Sequence, residues 1–474
     1  MPPENKFPAG LRNAEIGEFA FFKLRELLRR GRFREILFPM IWLYRLLILP
    51  FFLIMSPYYV GRMLKRGGYG KDFSHRFGNV PALPKPKDGV KRIWIQAVSV
   101  GETEAVAPLL KKLKERSDVE VILTTTTSTA YKIIHDKYAD LVTAYACFPI
   151  DFWPFSRRAW NRFSPTLVIQ MEGELWPEHL HQARTRKIPV LLVNARLSDK
   201  SFRRYRKVAW LARRIFAQID FICAGTQNDF SRFLQLGVQE SKLSLAGNMK
   251  FDAAGGEAFS EAEKYALYRE IFASGAPATV NGEVLLGSST WPGEEAVMLE
   301  TFRRARKTHP NLKLLIVPRH AERRAEIAAL LDKCEFSWYL RSQTAPENIP
   351  VDADICVADT TGELRKLTQI ATVAFVGKSL LPNKGGQTPI ECAAIGIPLV
   401  YGTEMTNFKD VCRALEDIGS AVKVRDGNGA TETLCRLLDD SQARARMSSA
   451  AKSWHADNQG ATARVLARIE HYLR

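Results

Sequence analysis

The sequence is short of the patterns that settle a chemistry at a glance. Its seven cysteines are odd in number and dispersed, with no C-x-x-C. That argues against a disulfide framework or a cysteine zinc site and fits a reducing compartment. Of the eight histidines only His179 and His181 lie close together, and they read as ordinary helix residues. No structural metal and no cofactor are expected. No P-loop, G-x-G-x-x-G, G-x-S-x-G or kinase signature occurs. D-x-D occurs only at Asp352 to Asp354, leading into an apolar strand, and reads as turn and packing chemistry. There is no internal repeat at solenoid periods and no low-complexity tract. Acidic residues are also scarce, 51 against 68 Lys and Arg, for a net charge of +17. Such an excess favours a polyanionic partner: nucleic acid, an anionic membrane surface or a phosphorylated substrate. Nucleic acid is not expected, because no module that reads it is present.

What is there is a globular chain. With 474 residues, 46% hydrophobic and 25% charged, it is too long for one ordinary core and suggests two domains. The N-terminal end is unusual. A basic stretch, "LRELLRRGRFRE", runs into twenty mostly apolar residues from Ile36 to Met55. Roughly 20 apolar residues suffice to span a bilayer. Pro39, Arg45 and Pro50 interrupt the run, and a central Arg costs about 2.5–3.5 kcal/mol on insertion scales. Basic residues on both sides favour no orientation. The apolar part begins too late for a signal peptide, and no small-residue cleavage site follows. Three readings stay open: a helix lying in the membrane interface, a short span, and a hydrophobic helix packed into the protein.

From Lys91 short apolar runs alternate with amphipathic stretches. Candidate strands are "RIWIQAV", "EVILTT", "LVTAYACF", "TLVIQM", "IPVLLVNA", "FICAG" and "LSLAG", then "EVLLGSS", "LKLLIVP", "DICVAD", "TVAFVG", "IPLVYG" and "AVKV". Strands alternating with helices predict parallel sheets covered on both faces. The expected organisation is a basic extension and membrane-associated segment over 1–80 and a first α/β domain over 81–255. A weakly periodic interdomain segment over 256–280, a second α/β domain over 281–440 and a C-terminal helix over 441–474 complete it. Ligands of such doubly wound sheets bind beyond the carboxyl ends of the strands. Two such domains facing a cleft would suit a transferase.

The candidate chemistry lies at those ends. Glu102 in "VSVGETEAV" sits where a strand becomes a helix. Two roles stay open: stabilising the first helical turn, or acting as a general base on an acceptor hydroxyl. Glu172 directly follows the strand "TLVIQM", and Glu174 stands where the next helix is expected to begin. In the second half, "DTTGELRKL" offers Thr361, Gly362 and Glu363 at a helix entrance. "NKGGQTPIECAA" places Gly385 and Gly386 before a helix with Glu391 in its first turns. Arg319 and His320 follow the strand ending in Pro318.

In this order the motifs "VSVGETEA", "DFWPFSRRAW", "MEGELWPE", "NARLSDKSFRRY", "GTQNDFSRF", "LAGNMKFD", "GSSTWPGEE", "VPRHAERR", "DTTGELRKL" and "GGQTPIECAA…TNFKD" resemble the family of 3-deoxy-D-manno-octulosonic acid (Kdo) transferases. The resemblance runs from about Phe38 to Glu470. It implies a GT-B fold, two Rossmann-like domains facing a cleft. The N-terminal domain would bind a lipid A precursor and the C-terminal one the donor CMP-Kdo. It implies that Glu102 is the catalytic proton acceptor in an inverting, metal-independent transfer, with Glu172 and Lys250 stabilising the transition state. CMP contacts would fall on Pro318, Arg319, Thr361, Gly362, Glu363, Thr388, Pro389, Ile390 and Glu391, and helix N-termini at Gly362 and Gly386 would accept the departing phosphate. A basic acceptor face would draw on Arg62, Lys65, Arg157, Arg158, Arg203 and Arg204. The expected location is the cytoplasmic face of the inner membrane, monotopic or with one short membrane segment, against an anionic surface.

The sequence also departs from the family. The usual G-G-H-N-x-L-E reads Gly385-Gly386-Gln387-Thr388-Pro389-Ile390-Glu391, and the usual S-T-H reads Ser289-Thr290-Trp291. The alternatives are a paralogue using another nucleotide-activated sugar, or a non-catalytic lipid- or nucleotide-binding protein on the same fold.

Overall fold

The computed structural model describes residues 40–48, 50, 54–57, 61, 71–255, 258–273, 282–360 and 362–474. The extension, eight of the twenty residues of the apolar run, Arg62, Lys65 and Thr361 therefore lie outside the described residues. The chain forms two compact units, one of residues 1–246 with 465–474 and one of 247–464.

The first unit is built on a seven-stranded sheet: β1 (Lys91–Gln96), β2 (Val119–Thr125), β3 (Ala144–Cys147), β4 (Leu167–Met171), β5 (Val190–Ala195), β6 (Phe221–Ala224) and β7 (Leu243–Leu245). Their order is β3-β2-β1-β4-β5-β6-β7, with every pairing parallel. The strands read as continuous apolar runs because helices cover both faces: every residue of β4 and β5 is buried. Trp94 of β1 anchors one face. Its ring meets Trp160 at 5.3 Å and Phe163 at 5.0 Å, both edge-on, and its Nε1 donates to Thr124 Oγ1 at 2.8 Å.

The second unit repeats the plan with β8 (Val284–Thr290), β9 (Lys313–Pro318), β10 (Trp338–Leu340), β11 (Ile355–Val357), β12 (Val373–Val376), β13 (Leu399–Gly402) and β14 (Ala421–Val424). The order is β10-β11-β9-β8-β12-β13-β14. In both sheets the chain fills one side of its first strand, then returns to fill the other side. The reversal falls between β1 and β4 in the first unit and between β8 and β12 in the second, which makes these the switch points.

Three expectations need correction. Within the expected interdomain segment 256–280, residues 261–272 are regular structure: Ser260 and Glu263 make a reciprocal capping box at the start of the helix Glu261–Phe272. That helix buries Leu267, Tyr268, Ile271 and Phe272 in the core of the second unit. The boundary also falls earlier than expected, so Lys250 belongs with the second unit. Its helix, Met249–Ala254, is tied there by Asp252, which accepts from the backbone N–H of Gly460 at 2.7 Å, and by Phe251 against Trp454 at 5.0 Å. The tail is two helices, Ser441–Asp457 and Ala461–Leu473, and its last ten residues group with the first unit. Strand β10 is three residues long, too short for a periodic signal.

Candidate active site

Both acids singled out in the first half stand at its switch point. The helix Val100–Lys114 starts directly beyond β1, with Ser99 as its cap accepting from the N–H of Glu102. The Glu102 carboxylate folds back over this corner, accepting from Val98 N–H and Ser99 Oγ, each at 2.9 Å. Across the reversal, Glu172 follows β4 with a φ of 56°. Its carbonyl accepts from Arg196 N–H at 3.3 Å, and Arg196 Nη1 lies 4.0 Å from its carboxylate.

A left-handed backbone at a non-glycine residue costs on the order of 1–3 kcal/mol unless a helix end or a turn uses it. Among the described residues eight non-glycines have positive φ. Ser164, Lys187 and Ala273 are helix C-caps and Asp352 lies in a turn. The other four, Glu172, Asn194, Ser289 and Lys378, sit at the carboxyl ends of sheet strands. The strain is concentrated on the ligand edges of the two sheets.

Glu102 is only 5% exposed. Burial pushes its carboxyl up to about 7, and the charge of Glu172 adds to this against the two hydrogen bonds. Glu174 is raised as well, by burial and then by Glu172. A capping carboxylate with no other task has its pKa lowered by the N–H groups it caps. Here desolvation outweighs them, leaving a group that takes up a proton near neutrality.

This has a consequence for stability. The folded-state pKa of Glu102 lies above the ordinary value, so the folded chain holds a proton that the unfolded chain releases. Stability is therefore lost as pH rises from about 4.5 to about 7. Glu102→Gln removes the penalty. The variant is expected to melt above the parent at pH 8, by the equivalent of on the order of 2 kcal/mol, with the advantage fading towards about pH 5. Equal melting temperatures at both values would contradict a buried, charge-averse carboxylate.

In the second unit, residues 318–319, 362–363 and 385–391 lie at or after the carboxyl ends of β9, β11 and β12. Pro318 ends β9, and the N–H of Arg319, whose side chain is exposed, reaches Thr290 O at 3.1 Å. Gly386 N–H and Gln387 N–H donate to the carbonyls of Lys378 and Gly377 at 3.0 and 3.1 Å, so the Gly-Gly segment is pinned to the corner after β12. Thr388 Oγ1 accepts from Ile390 N–H at 3.3 Å, Pro389 is buried, and Glu391 lies in the first turn of Ile390–Ile395. Glu363 is taken up by Arg341, which donates at 3.1 and 3.0 Å; this guanidinium holds its carboxyl below the usual range. The helices after Gly362 and Gly386 begin only at Leu364 and Ile390 and run for five and six residues. They are too short to supply the phosphate with the helix-terminus field expected of them. Lys250 is half-buried, and its N–H donates to the cap Asn248 Oδ1 at 3.0 Å.

Of the basic candidates, Arg157, Arg158, Arg203 and Arg204 are all exposed on the first unit. Arg158 is partly committed, to Phe77 O and Asn79 Oδ1 at 3.2 Å each. The sequence reading missed Glu294, a buried carboxylate that accepts from the N–H groups of Trp291, Lys378, Ser379 and Leu380. It also missed what Arg45 does. Residues 40–48 form a helix in which Arg45 donates twice to Glu178, at 2.8 and 2.9 Å. Tyr44 OH donates to Asp151 at 2.7 Å. Ile41, Tyr44, Arg45 and Ile48 face the domain, while Trp42, Leu43, Leu46 and Leu47 remain 51–69% exposed. No helix among the described residues is long and apolar enough to cross a membrane.

Two Rossmann-like sheets in succession, with strained and charged corners at both switch points, are the GT-B fold. A family profile described as "3-Deoxy-D-manno-octulosonic-acid transferase (kdotransferase)" matches residues 71–253. The 3-deoxy-D-manno-octulosonic acid transferase of Haemophilus influenzae is 32% identical over 423 residues, 89% of this chain and 93% of the relative. That of Bordetella pertussis is 33% identical over 420 residues, 87% and 94% of the two chains. The chain belongs to the 3-deoxy-D-manno-octulosonic acid transferase family. Among solved structures, the UDP-GlcNAc 2-epimerase from Neisseria meningitidis bound to UDP-GlcNAc aligns with a TM-score of 0.52 over 78% of this chain and 95% of that one. At 14% identity this likeness speaks for the fold alone.

Proposed function

We propose that the protein moves Kdo from CMP-Kdo to a hydroxyl of a lipid A precursor, with inversion at the anomeric carbon. Glu102 takes the proton of the acceptor hydroxyl. The oxygen attacks the anomeric carbon, and the bond to the CMP phosphate breaks, CMP leaving with the electron pair. Glu172 and Lys250 stabilise the charge that develops in the transition state. Donor contacts come from the second unit, through the backbone and side chains of residues 318–319, 361–363 and 388–391. The acceptor, which carries phosphates and acyl chains, is met by exposed arginines of the first unit (Arg157, Arg158, Arg203, Arg204), together with Arg62 and Lys65. The observation that carries the reading is Glu102: a buried carboxylate at the switch point, raised to about 7 and therefore matched to proton transfer at neutral pH.

The same reading puts the protein on the cytoplasmic face of the inner membrane as a monotopic enzyme. It is supported by a helix that holds Ile41, Tyr44 and Arg45 against the domain and leaves Trp42, Leu43, Leu46 and Leu47 exposed. Trp291 in place of the family's His favours one competing donor, a related CMP-activated ulosonic acid. Incubation with CMP-Kdo and tetraacylated lipid A precursor, followed by mass analysis, tests all of this. The product should gain one or more Kdo masses. No gain with CMP-Kdo, but a gain with another CMP-activated acid sugar, would establish the competitor; no product with either would overturn the transfer.

A further inference from the structure

Both sheets reverse beside their first strand, so the corners at that point correspond. β12 is to the second unit what β4 is to the first: the strand where the order reverses. Glu172, immediately after β4, has a φ of 56°, and Lys378, two residues after β12, has a φ of 60°. Neither ends a helix. In each unit a long charged side chain is held in the left-handed region at the switch point, where glycine would be free of strain.

The setting of Lys378 leaves its backbone little freedom. Its N–H is bound by Glu294 Oε2 at 2.8 Å, and its carbonyl accepts from Gly386 N–H at 3.0 Å. The preceding residue must be glycine, because a Cβ on Gly377 would fall 2.3 Å from Ser289 O. From this fixed base the ammonium lies over the Trp291 ring, 4.3 Å from its centroid. Trp291 meets His320 edge-on at 5.1 Å. Burial and then the cations Arg319, Arg323 and Lys378, opposed by Glu322, hold His320 below the usual imidazole range. Among the described residues no carboxylate lies within ion-pair distance of the Lys378 ammonium. Among the described residues it is a half-buried cation without a counter-ion, beside the Gly385-Gly386 segment, where the helices after Gly362 and Gly386 are only five and six residues long.

We infer that Lys378 binds the phosphate of the donor nucleotide. It is thus the counterpart of Glu172 in position and its opposite in charge. The inference rests on the CMP-activated donor proposed above and adds the group that neutralises its leaving phosphate. Trp291, which cannot imitate the family's His, has a task on this view: it seats the ammonium.

The test is titration of the full-length protein, its Lys378→Met and Lys378→Arg variants, with CMP and with cytidine. Lys378→Met should weaken CMP about ten- to a hundredfold, as expected for a lost charge-assisted contact, and leave cytidine unchanged. Lys378→Arg should recover most of the CMP affinity. Unaltered CMP binding in Lys378→Met, or an equal loss for cytidine, would overturn the assignment. A lower melting temperature with no change in the CMP-to-cytidine ratio would reduce Lys378 to a stabilising contact and overturn it too. Parent protein that does not bind CMP would refute the donor reading itself, and would do so before any substitution is compared.

Discussion

Glu102→Gln is expected to bind CMP like the parent and to lose at least about 10²–10⁴-fold in turnover, the range typical of a general base. The amide keeps the size of the carboxylate and can still accept from Val98 N–H, so the corner should stay folded. The parent's pH profile should sharpen the point. A base raised to about 7 is protonated and idle below that value, so turnover should climb with pH and level off above it. Glu172 contributes to the elevation. Glu172→Gln removes that repulsion and should move the rising limb to lower pH as well as slowing the reaction. A limb that stays in place in Glu172→Gln would mean that another group sets it. Near-parent turnover in Glu102→Gln would remove Glu102 from the role.

The position of Glu102 was legible because the pattern changes there from an apolar strand to an amphipathic helix, and the corner between two such elements lies on the ligand edge. Glu172 was legible for the same reason. The sequence did not reveal that the two acids flank one switch point, since strand order depends on pairings such as Ile93 with both Val121 and Leu167. These contacts join distant residues and leave no local trace. Lys378 was missed because the reading attended to the glycines after it. A lysine reveals nothing of its φ, and its contact with Trp291 spans 87 positions (378 − 291). Arg45 was read as an interruption of a membrane span. Its partner Glu178, |i−j| = 133, supplies the reason it is tolerated. The helix Glu261–Phe272 carries its own signals, the capping box Ser260-x-x-Glu263 and buried positions 267, 268, 271 and 272 at helical spacing; the glycine and proline turn signals on either side of it masked them.

The helix over residues 40–48 makes the second large prediction. A helix on a water-facing surface turns its apolar residues inward; this one turns Ile41 inward with Tyr44 and Arg45, but leaves Trp42, Leu43, Leu46 and Leu47 outward. Arg45 also lies over the rings of Trp42 and Trp153, at 4.8 and 5.5 Å, and Trp153 itself is 39% exposed. Indole rings beside an apolar face are what an interfacial helix presents to a bilayer. The three leucines, each more than half exposed, would contribute about 3–5 kcal/mol together on insertion. Leu43→Glu, Leu46→Glu and Leu47→Glu combined should therefore lower partitioning onto phosphatidylglycerol-containing vesicles by about 10²–10³-fold or more. The inward contacts to Asp151 and Glu178 are untouched, so the variant should keep its melting temperature and act normally on a water-soluble acceptor analogue. With a net charge of +17, part of the attraction is electrostatic, and salt screens that part. In high salt the parent should stay on the vesicles while the triple variant leaves them. If the triple variant sediments with vesicles as the parent does in high salt, these leucines do not face the membrane. The paired Arg45 would then serve only to close the domain.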